Sequence, residues 1–260
     1  MQQAILIVSG IGLAAAIILV IAAKVMFVEK DQKAEDLREM LPGANCGACG
    51  YAGCDDYAAK LATGECTKAN LCTPGGNELN RKISVYLGLP FEETKAVKAM
   101  VKCSGNYDTS EYVMDYEGPK TCKSCNAFYQ GRRSCTHGCL GYGDCVASCK
   151  FGALSIENGL AVVNRALCTG CGACAKACPD HLFEMIPETA MVYVGCASHD
   201  KGAFTRKVCK AGCIGCMKCQ KTCEYGAIIV TENLASIDYE KCTNCGKCVE
   251  VCPTKVIHMA

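Results

Sequence analysis

The order of apolar and charged positions separates an uncharged N-terminal run from a longer, mixed remainder. Residues 4–23 carry no charged side chain. At about 1.5 Å of rise per residue, a helix of this length spans roughly 30 Å, the thickness of a bilayer's hydrocarbon core. The run therefore predicts one transmembrane helix. A cleaved signal peptide is the alternative interpretation, but it needs a basic segment before the apolar run, and residues 1–3 provide none.

The charges next to this run predict its orientation. Basic side chains follow the run and none precedes it, the first four being Lys24, Lys30, Lys33 and Arg38. Since Lys and Arg near a membrane span favour the cytoplasmic side, we expect a single-pass protein of the cytoplasmic membrane. The remainder of the chain would then lie in the cytoplasm.

Beyond the run, the hydrophobic pattern predicts short helices followed by two hairpins. The helical segments are 29–40, 55–63, 77–88 and 91–102. The first hairpin joins 153–156 to 160–163 around an Asn-Gly turn signal, and the second joins 227–230 to 234–237. Helices and hairpins together indicate an α+β fold.

The cysteines repeat at a fixed interval. The run C-x2-C-x2-C-x3-C-P occupies 168–179 and again 242–253, an offset of 74 residues. The cysteines before each run keep the same offset, with Cys139, Cys145 and Cys149 recurring as Cys213, Cys219 and Cys223. A constant offset without insertion indicates a duplicated structural unit.

The spacing of each run is typical of bacterial ferredoxins. Three closely spaced thiolates ligate one [4Fe-4S] cluster, and the fourth Cys ligates the other cluster of the pair. The sequence therefore predicts two ferredoxin-like modules with two clusters each. Zinc is the second choice, since paired C-x2-C also serves tetrahedral zinc sites, but four-cysteine runs ending in Pro argue against it.

Composition narrows the chemistry further. The chain has 260 residues, 26 of them Cys, and a formal net charge of +1. A disulfide scaffold is not expected, because that inference belongs to short secreted chains and many of these cysteines are only two residues apart. A loaded cluster with four thiolates carries about two negative charges, so the holoprotein would be acidic and nucleic acid is not an expected partner.

A separate cysteine segment precedes the modules. Cys46, Cys49 and Cys54 have C-x2-C-x4-C spacing, and Cys72 closes the segment before Pro-Gly-Gly. These four predict a single [4Fe-4S] cluster. Cys66 is a rival for the fourth ligand, and zinc is the alternative metal.

The first repeat lacks one regular cysteine, because Tyr142 stands where the second repeat has Cys216. Cys135 is the predicted substitute, and its counterpart Cys209 is then spare. The four predicted sets in the repeats are Cys135, Cys139, Cys145 and Cys178; Cys149, Cys168, Cys171 and Cys174; Cys213, Cys216, Cys219 and Cys252; and Cys223, Cys242, Cys245 and Cys248.

Three further cysteines lie between the first segment and the repeats. Cys103, Cys122 and Cys125 could form a sixth metal site with a donor such as Cys135, or they could be buried structural thiols. With the four sets above and the N-terminal one, the prediction is five [4Fe-4S] clusters. Predicted boundaries are 1–28 for the anchor, 29–76 for the single-cluster domain, 77–134 for a helical spacer, and 135–190 and 191–260 for the modules.

A basic stretch lies between the two repeats. It could receive an acidic electron carrier, or it could be a solvated face that balances cluster charge. Its members are Lys201, Arg206, Lys207, Lys210, Lys218 and Lys221.

The order of these motifs resembles the B-subunit family of the Rnf complex, a membrane-bound ferredoxin:NAD oxidoreductase that moves Na⁺ or H⁺. The features that carry the resemblance are the N-terminal span, NCGACGYAGC, LCTPGG, GCLGYGDCVASC, CTGCGACAKACP, SHDKG and GCIGCMKC. The resemblance implies an iron-sulfur electron-input subunit of a redox-driven ion translocase. Electrons would come from reduced ferredoxin and pass to the other subunits of the complex.

The remaining predictions concern chemistry that the chain itself lacks. No G-x-G-x-x-G on a strand-helix pattern is present, so NAD chemistry is expected on another subunit. A polyferredoxin-like feeder subunit of another membrane-anchored redox enzyme is the alternative function, because it would share every cluster.

Overall fold

The computed structural model describes residues 2–25 and 31–259, and within the first helix it describes the side chains of residues 9–22 and 24. Helix α1 (Gln2–Val25) coincides with the predicted transmembrane run 4–23, of which the side chains of 4–8 and 23 lie outside the described residues. Its large apolar side chains are exposed, Ile11, Leu13 and Leu19 among them. In the described part of the chain, no helix has both the length and the apolarity that crossing a membrane requires.

Three helices form a small N-terminal domain, namely α2 (Gln32–Met40), α3 (Cys54–Thr63) and α4 (Gly76–Leu87). The Asp31 carboxylate starts α2 by accepting a hydrogen bond from the Lys33 amide. The core of the domain joins Leu37, Tyr57 and Ile83, one side chain from each helix. These helices match the predicted segments, except that residues 29–30 lie outside the described residues.

The first module follows, and it has seven elements. They are β1 (Val97–Val101), α5 (Cys122–Asn126), α6 (Asp144–Ser148), β2 (Leu154–Glu157), β3 (Leu160–Val163), α7 (Ala173–Ala177) and β4 (Phe183–Pro187). Strands β2 and β3 form the predicted hairpin with Leu154 opposite Val163. Asn158 and Gly159 turn it with positive φ angles of 47° and 74°, the conformation that an Asn-Gly turn requires.

The second module repeats this arrangement. It contains β5 (Val192–Val194), α8 (Gly202–Val208), α9 (Lys218–Thr222), β6 (Ile228–Thr231), β7 (Leu234–Ile237), α10 (Lys247–Glu250) and β8 (Ile257–Met259). Strands β6 and β7 form the second predicted hairpin, and β5 pairs with β8 as β1 pairs with β4. Each module therefore has a hairpin, an outer strand pair and short helices, and all of these helices except α8 begin at or next to a cysteine.

The helix predicted over residues 91–102 is wrong, because strand β1 occupies this segment. Ala99 and Val101 face the core of the first module, whereas Met100 contacts Ile186 on the opposite face. This alternation has the period of a strand. The pairing of β1 with β4 overrides the local helical pattern, and it joins part of the predicted spacer to the first module.

Candidate iron-sulfur sites

The N-terminal domain brings together the four cysteines predicted there, which we call group A (Cys46, Cys49, Cys54 and Cys72). Burial raises the pKa of the Cys72 thiol to about 11, and the three other thiols are near enough to raise it further. Cys66 is buried in the same core, and its Sγ lies 3.6 Å from the carbonyl oxygen of Lys68. The grouping therefore favours Cys72 as the fourth member.

The first module contains a cavity lined by Cys149, Cys168, Cys171 and Cys174, which we call group B. The amide of Ala99, on β1, donates to Cys168 Sγ at 3.4 Å. Group B is the set predicted from the first ferredoxin run and the last cysteine before it.

A second cavity of the first module departs from the prediction. Its cysteines are Cys122, Cys139, Cys145 and Cys178, which we call group C. Burial raises the pKa of the Cys145 thiol to about 12, and the other three thiols raise it further. Cys135, the predicted fourth member, does not line this cavity.

Asp144 explains why Cys122 takes this position. Its carboxylate accepts hydrogen bonds from the amides of Cys122 at 2.9 Å and Lys123 at 3.0 Å, so it holds the start of α5 beside α6. Cys145 is the next residue on α6. The missing cysteine at Tyr142 indicated that a substitute was needed, but nothing in the local spacing identifies Cys122.

The second module brings together both of its predicted sets. Group E is Cys213, Cys216, Cys219 and Cys252, and burial raises the pKa of the Cys219 thiol to about 11, with further increases from its three neighbours.

Group F is Cys223, Cys242, Cys245 and Cys248. Burial raises the pKa of the Cys248 thiol, and the three other thiols are among the neighbours that raise it further. Cys216 and Cys245 are the exposed members of groups E and F.

A third cysteine-lined cavity lies between the modules. Its cysteines are Cys103, Cys135, Cys196 and Cys209, which we call group D. Burial raises the pKa of the Cys135 thiol to about 12, and the three other thiols raise it further. Sequence reasoning left Cys196 and Cys209 without a role, although Cys135 and Cys209 share the 74-residue offset.

The donor chemistry of groups A, B, C, E and F suits iron-sulfur clusters. Each group offers four sulfur donors, and the two cavities of the first module have space among these sulfurs. Buried thiols with raised pKa values resist losing their protons in the absence of a cation, and a cationic cluster core would provide the compensating charge. Within residues 2–25 and 31–259, no three or more His, Cys, Asp or Glu side chains are placed so that they could hold a single metal ion directly.

Family models match three parts of the chain. A model for an Fe-S cluster domain matches residues 41–74, which include group A. A 4Fe-4S binding domain model matches residues 161–182, and a 4Fe-4S dicluster domain model matches residues 212–256. The last match contains every cysteine of groups E and F.

Three relatives are similar over almost the whole chain. The B subunit of the ion-translocating oxidoreductase complex of Methanosarcina acetivorans is 44% identical over 99% of this chain and 97% of its own length. The B subunit of the Na⁺-translocating ferredoxin:NAD⁺ oxidoreductase complex of Acetobacterium woodii is 40% identical over 99% of this chain and 78% of its own length. The B subunit of the proton-translocating ferredoxin:NAD⁺ oxidoreductase complex of Clostridium ljungdahlii is 35% identical over 95% of this chain and 88% of its own length.

Proposed function

This chain belongs to the B-subunit family of ion-translocating oxidoreductase (Rnf) complexes, and we propose that it receives electrons from reduced ferredoxin. It is an iron-sulfur electron-transfer subunit of such a complex. The observation that carries the proposal is the assembly of twenty cysteines into the five four-cysteine groups A, B, C, E and F.

We assign one [4Fe-4S] cluster to each of these five groups. When bound, such a cluster supplies a one-electron redox centre whose potential depends on hydrogen bonds to sulfur and on burial. In group C the ligands are Cys122, Cys139, Cys145 and Cys178, so Cys122 replaces Cys135 in the predicted set.

The protein supplies both hydrogen bonds and shielding to these sulfurs. The Ala99 amide donates to Cys168 in group B, and the Leu182 amide donates to Cys178 in group C at 3.5 Å. Leu154 lines the cavity of group B and Phe183 lines that of group C, and both are buried in the core of the module. Both contributions stabilise thiolates and keep water from the sulfur atoms.

The basic stretch of the second module is the candidate docking surface for the donor. Lys218 and Lys221 lie on α9 and are exposed, next to the exposed Cys216 of group E. Two apolar side chains of the same module are about half exposed, Met217 directly before α9 and Phe204 on α8. Basic residues around an exposed apolar surface suit a negatively charged protein partner.

A charge-reversal experiment tests this docking surface. Lys218→Glu with Lys221→Glu should slow reduction by ferredoxin roughly tenfold at low salt, because charge steering raises association rates by about that factor or more. Lys33→Glu with Lys82→Glu makes the same change in net charge on the N-terminal domain and is the matched control. Bleaching near 400 nm (roughly) reports the reduction. Equal rates for the two variants would place the donor elsewhere, and an unreduced wild-type protein would refute ferredoxin as donor.

We also propose that residues 4–23 anchor the chain in the cytoplasmic membrane, beside the other subunits. The support is the uncharged sequence of this run and the exposure of the apolar side chains of α1. Carbonate extraction of membranes tests the anchor, because an integral segment stays with the lipid fraction. Release of the full chain into the supernatant would contradict it.

A further inference from the structure

Group D lies where the two modules meet, and its four cysteines come equally from both. Cys103 follows β1 by two residues and Cys196 follows β5 by two residues. Cys135 and Cys209 are related by the 74-residue offset of the repeat. Each module therefore contributes an equivalent pair of cysteines to one shared cavity.

We propose that Cys103, Cys135, Cys196 and Cys209 hold a sixth [4Fe-4S] cluster, which joins the two modules. The inference rests on the proposed use of the other five groups for clusters. It does not follow from the ferredoxin runs, because none of these four cysteines belongs to a C-x2-C-x2-C-x3-C run.

The lining of the cavity gives the first support. It includes four cysteines, as does the lining of the group B cavity, whose cysteines include three from a regular ferredoxin run. Gly105 leaves this space open, since a Cβ at that position would clash with Ser110 Oγ and approach Cys209 Sγ to 3.4 Å.

Hydrogen bonds to the sulfur atoms give the second support. The Cys139 amide donates to Cys103 Sγ at 3.4 Å, and the equivalent Cys213 amide donates to Cys196 Sγ at 3.3 Å. The Ser110 hydroxyl donates to Cys209 Sγ at 3.4 Å. Amide and hydroxyl donors aimed at sulfur stabilise thiolate ligands and tune cluster potentials. The two amide bonds follow the repeat, so the donors are duplicated together with the ligands.

Buried positive charge gives the third support. Arg133 is only 3% exposed; its Nη1 donates to the Gly105 carbonyl and its Nη2 to the Gly159 carbonyl, each at 2.8 Å. Its buried Nε has no hydrogen-bond partner, and no carboxylate of the described residues forms an ion pair with it. The guanidinium also lies over the Tyr112 ring, 5.2 Å from its centroid, but a buried charge without an opposite charge is costly. A cluster with four thiolates carries about two negative charges and would compensate it.

The position of group D makes the row of sites continuous. The Sγ atom of Cys103 accepts a hydrogen bond from the amide of Cys139, a member of group C. The Sγ atom of Cys196 accepts one from the amide of Cys213, a member of group E. At the other end of the first module, burial raises the pKa of the Cys171 thiol of group B, and Cys46 of group A is near enough to raise that pKa further. The groups therefore follow one another from A to F, with D as the connection between modules.

Metal analysis of the anaerobically purified full chain tests the sixth site. The wild-type protein should contain about twenty-four iron and twenty-four sulfide per chain, and Cys103→Ala or Cys196→Ala about twenty of each. Cys66→Ala and Cys125→Ala remove buried cysteines outside all six groups and are the matched controls, which should keep the full count. Electron paramagnetic resonance of the reduced protein should show one fewer paramagnetic centre in the first two variants.

The possible outcomes separate this inference from the proposed function. About twenty irons in the wild-type protein, unchanged by Cys103→Ala and Cys196→Ala, would overturn the sixth cluster and leave the other five. One zinc per chain that disappears in these variants would also overturn it. An iron-free wild-type protein would overturn the proposed function as a whole.

A milder variant covers the case in which removing a ligand prevents folding. Ser110→Ala keeps all four cysteines and removes only the hydroxyl donor to Cys209 Sγ. The iron count should be unchanged, whereas one resonance of the reduced protein should shift and its midpoint potential should fall. An identical spectrum and an identical set of potentials would count against a cluster at Cys209.

Discussion

The two modules share one fold but obtain their cluster ligands differently. In the second module, groups E and F take all eight cysteines from one 74-residue repeat. In the first module, Tyr142 replaces the cysteine equivalent to Cys216, and Cys122 of the preceding segment lines the cavity instead. The segment between Cys103 and Cys135 is longer than the one between Cys196 and Cys209 by 19 residues. A ligand can therefore occupy the same place in the fold although it comes from a different place in the sequence.

The largest expected effect concerns this substitute ligand. Cys122→Ala should lower the iron content by about four atoms per chain, as Cys216→Ala should in the second module, because each removes one of four donors. Iron and sulfide analysis measures both. Cys125→Ala, which changes a completely buried thiol three residues away, is the control and should lose no iron.

A rescue experiment sharpens the comparison. Adding Tyr142→Cys to Cys122→Ala should restore the missing four irons, because position 142 is where the second module supplies Cys216. A full iron content in Cys122→Ala alone would show that Cys122 is not a ligand. Failure of the double variant, with the other clusters intact, would show that the two modules are not equivalent at this position.

The next largest effect is expected from removing the buried positive charge of Arg133. Arg133 and Lys207 are related by the 74-residue offset, but Arg133 is buried and Lys207 is exposed. Arg133→Met leaves the Gly105 and Gly159 carbonyls without their donors and should cost about 3 kcal/mol, the value of two hydrogen bonds to a charged group. Thermal unfolding of the anaerobic holoprotein measures the loss. Lys207→Met should leave the midpoint unchanged, and equal losses would contradict a specific role for the buried guanidinium.

A smaller effect tests how Cys122 is held. Asp144→Ala removes the acceptor for two amides at the start of α5 but keeps the N-cap Thr121, and we expect a cost of about 1 kcal/mol, as for the loss of a side-chain acceptor at a helix start. The iron content should be normal after anaerobic purification, but iron should leave group C roughly fivefold faster in the presence of a chelator. Lys218→Ala changes the equivalent position of the second module and is the control. The same release rate in both variants would mean that α5 does not depend on Asp144.

The sequence predicted the parts of this arrangement that follow the repeat. The cysteines of groups B and F, three of the four cysteines of group E, and both hairpins keep the 74-residue offset, and the structure brings each of these sets together. Group D escaped prediction because Cys103 and Cys196 are 93 residues apart, so the inserted segment hides their equivalence.

Long-range contacts account for the remaining differences. Strand β1 is defined by its pairing with β4, more than 80 residues later, and a local pattern cannot report such a pairing. The position of Cys122 likewise depends on the Asp144 carboxylate, 22 residues away. In both cases a distant partner selects one of several locally acceptable conformations.

The smallest effect concerns the residue before helices α6 and α9. Gly143 precedes α6 with φ +84°, and its equivalent Met217 precedes α9 with φ +60°, a region that disfavours side chains with a Cβ. Met217 is 46% exposed, so Met217→Gly loses little packing and should stabilise the second module by about 0.5 to 1 kcal/mol after the entropy cost of glycine.

The reverse change in the first module completes the comparison of the two modules. Gly143→Ala should destabilise by about 1 kcal/mol through backbone strain alone, because the added Cβ would meet Ile156 Cγ1 at 3.5 Å, an ordinary contact distance. Thermal midpoints of the two holoproteins should therefore move in opposite directions at unchanged iron content. Two shifts of the same sign would mean that contacts specific to each module outweigh the shared backbone conformation.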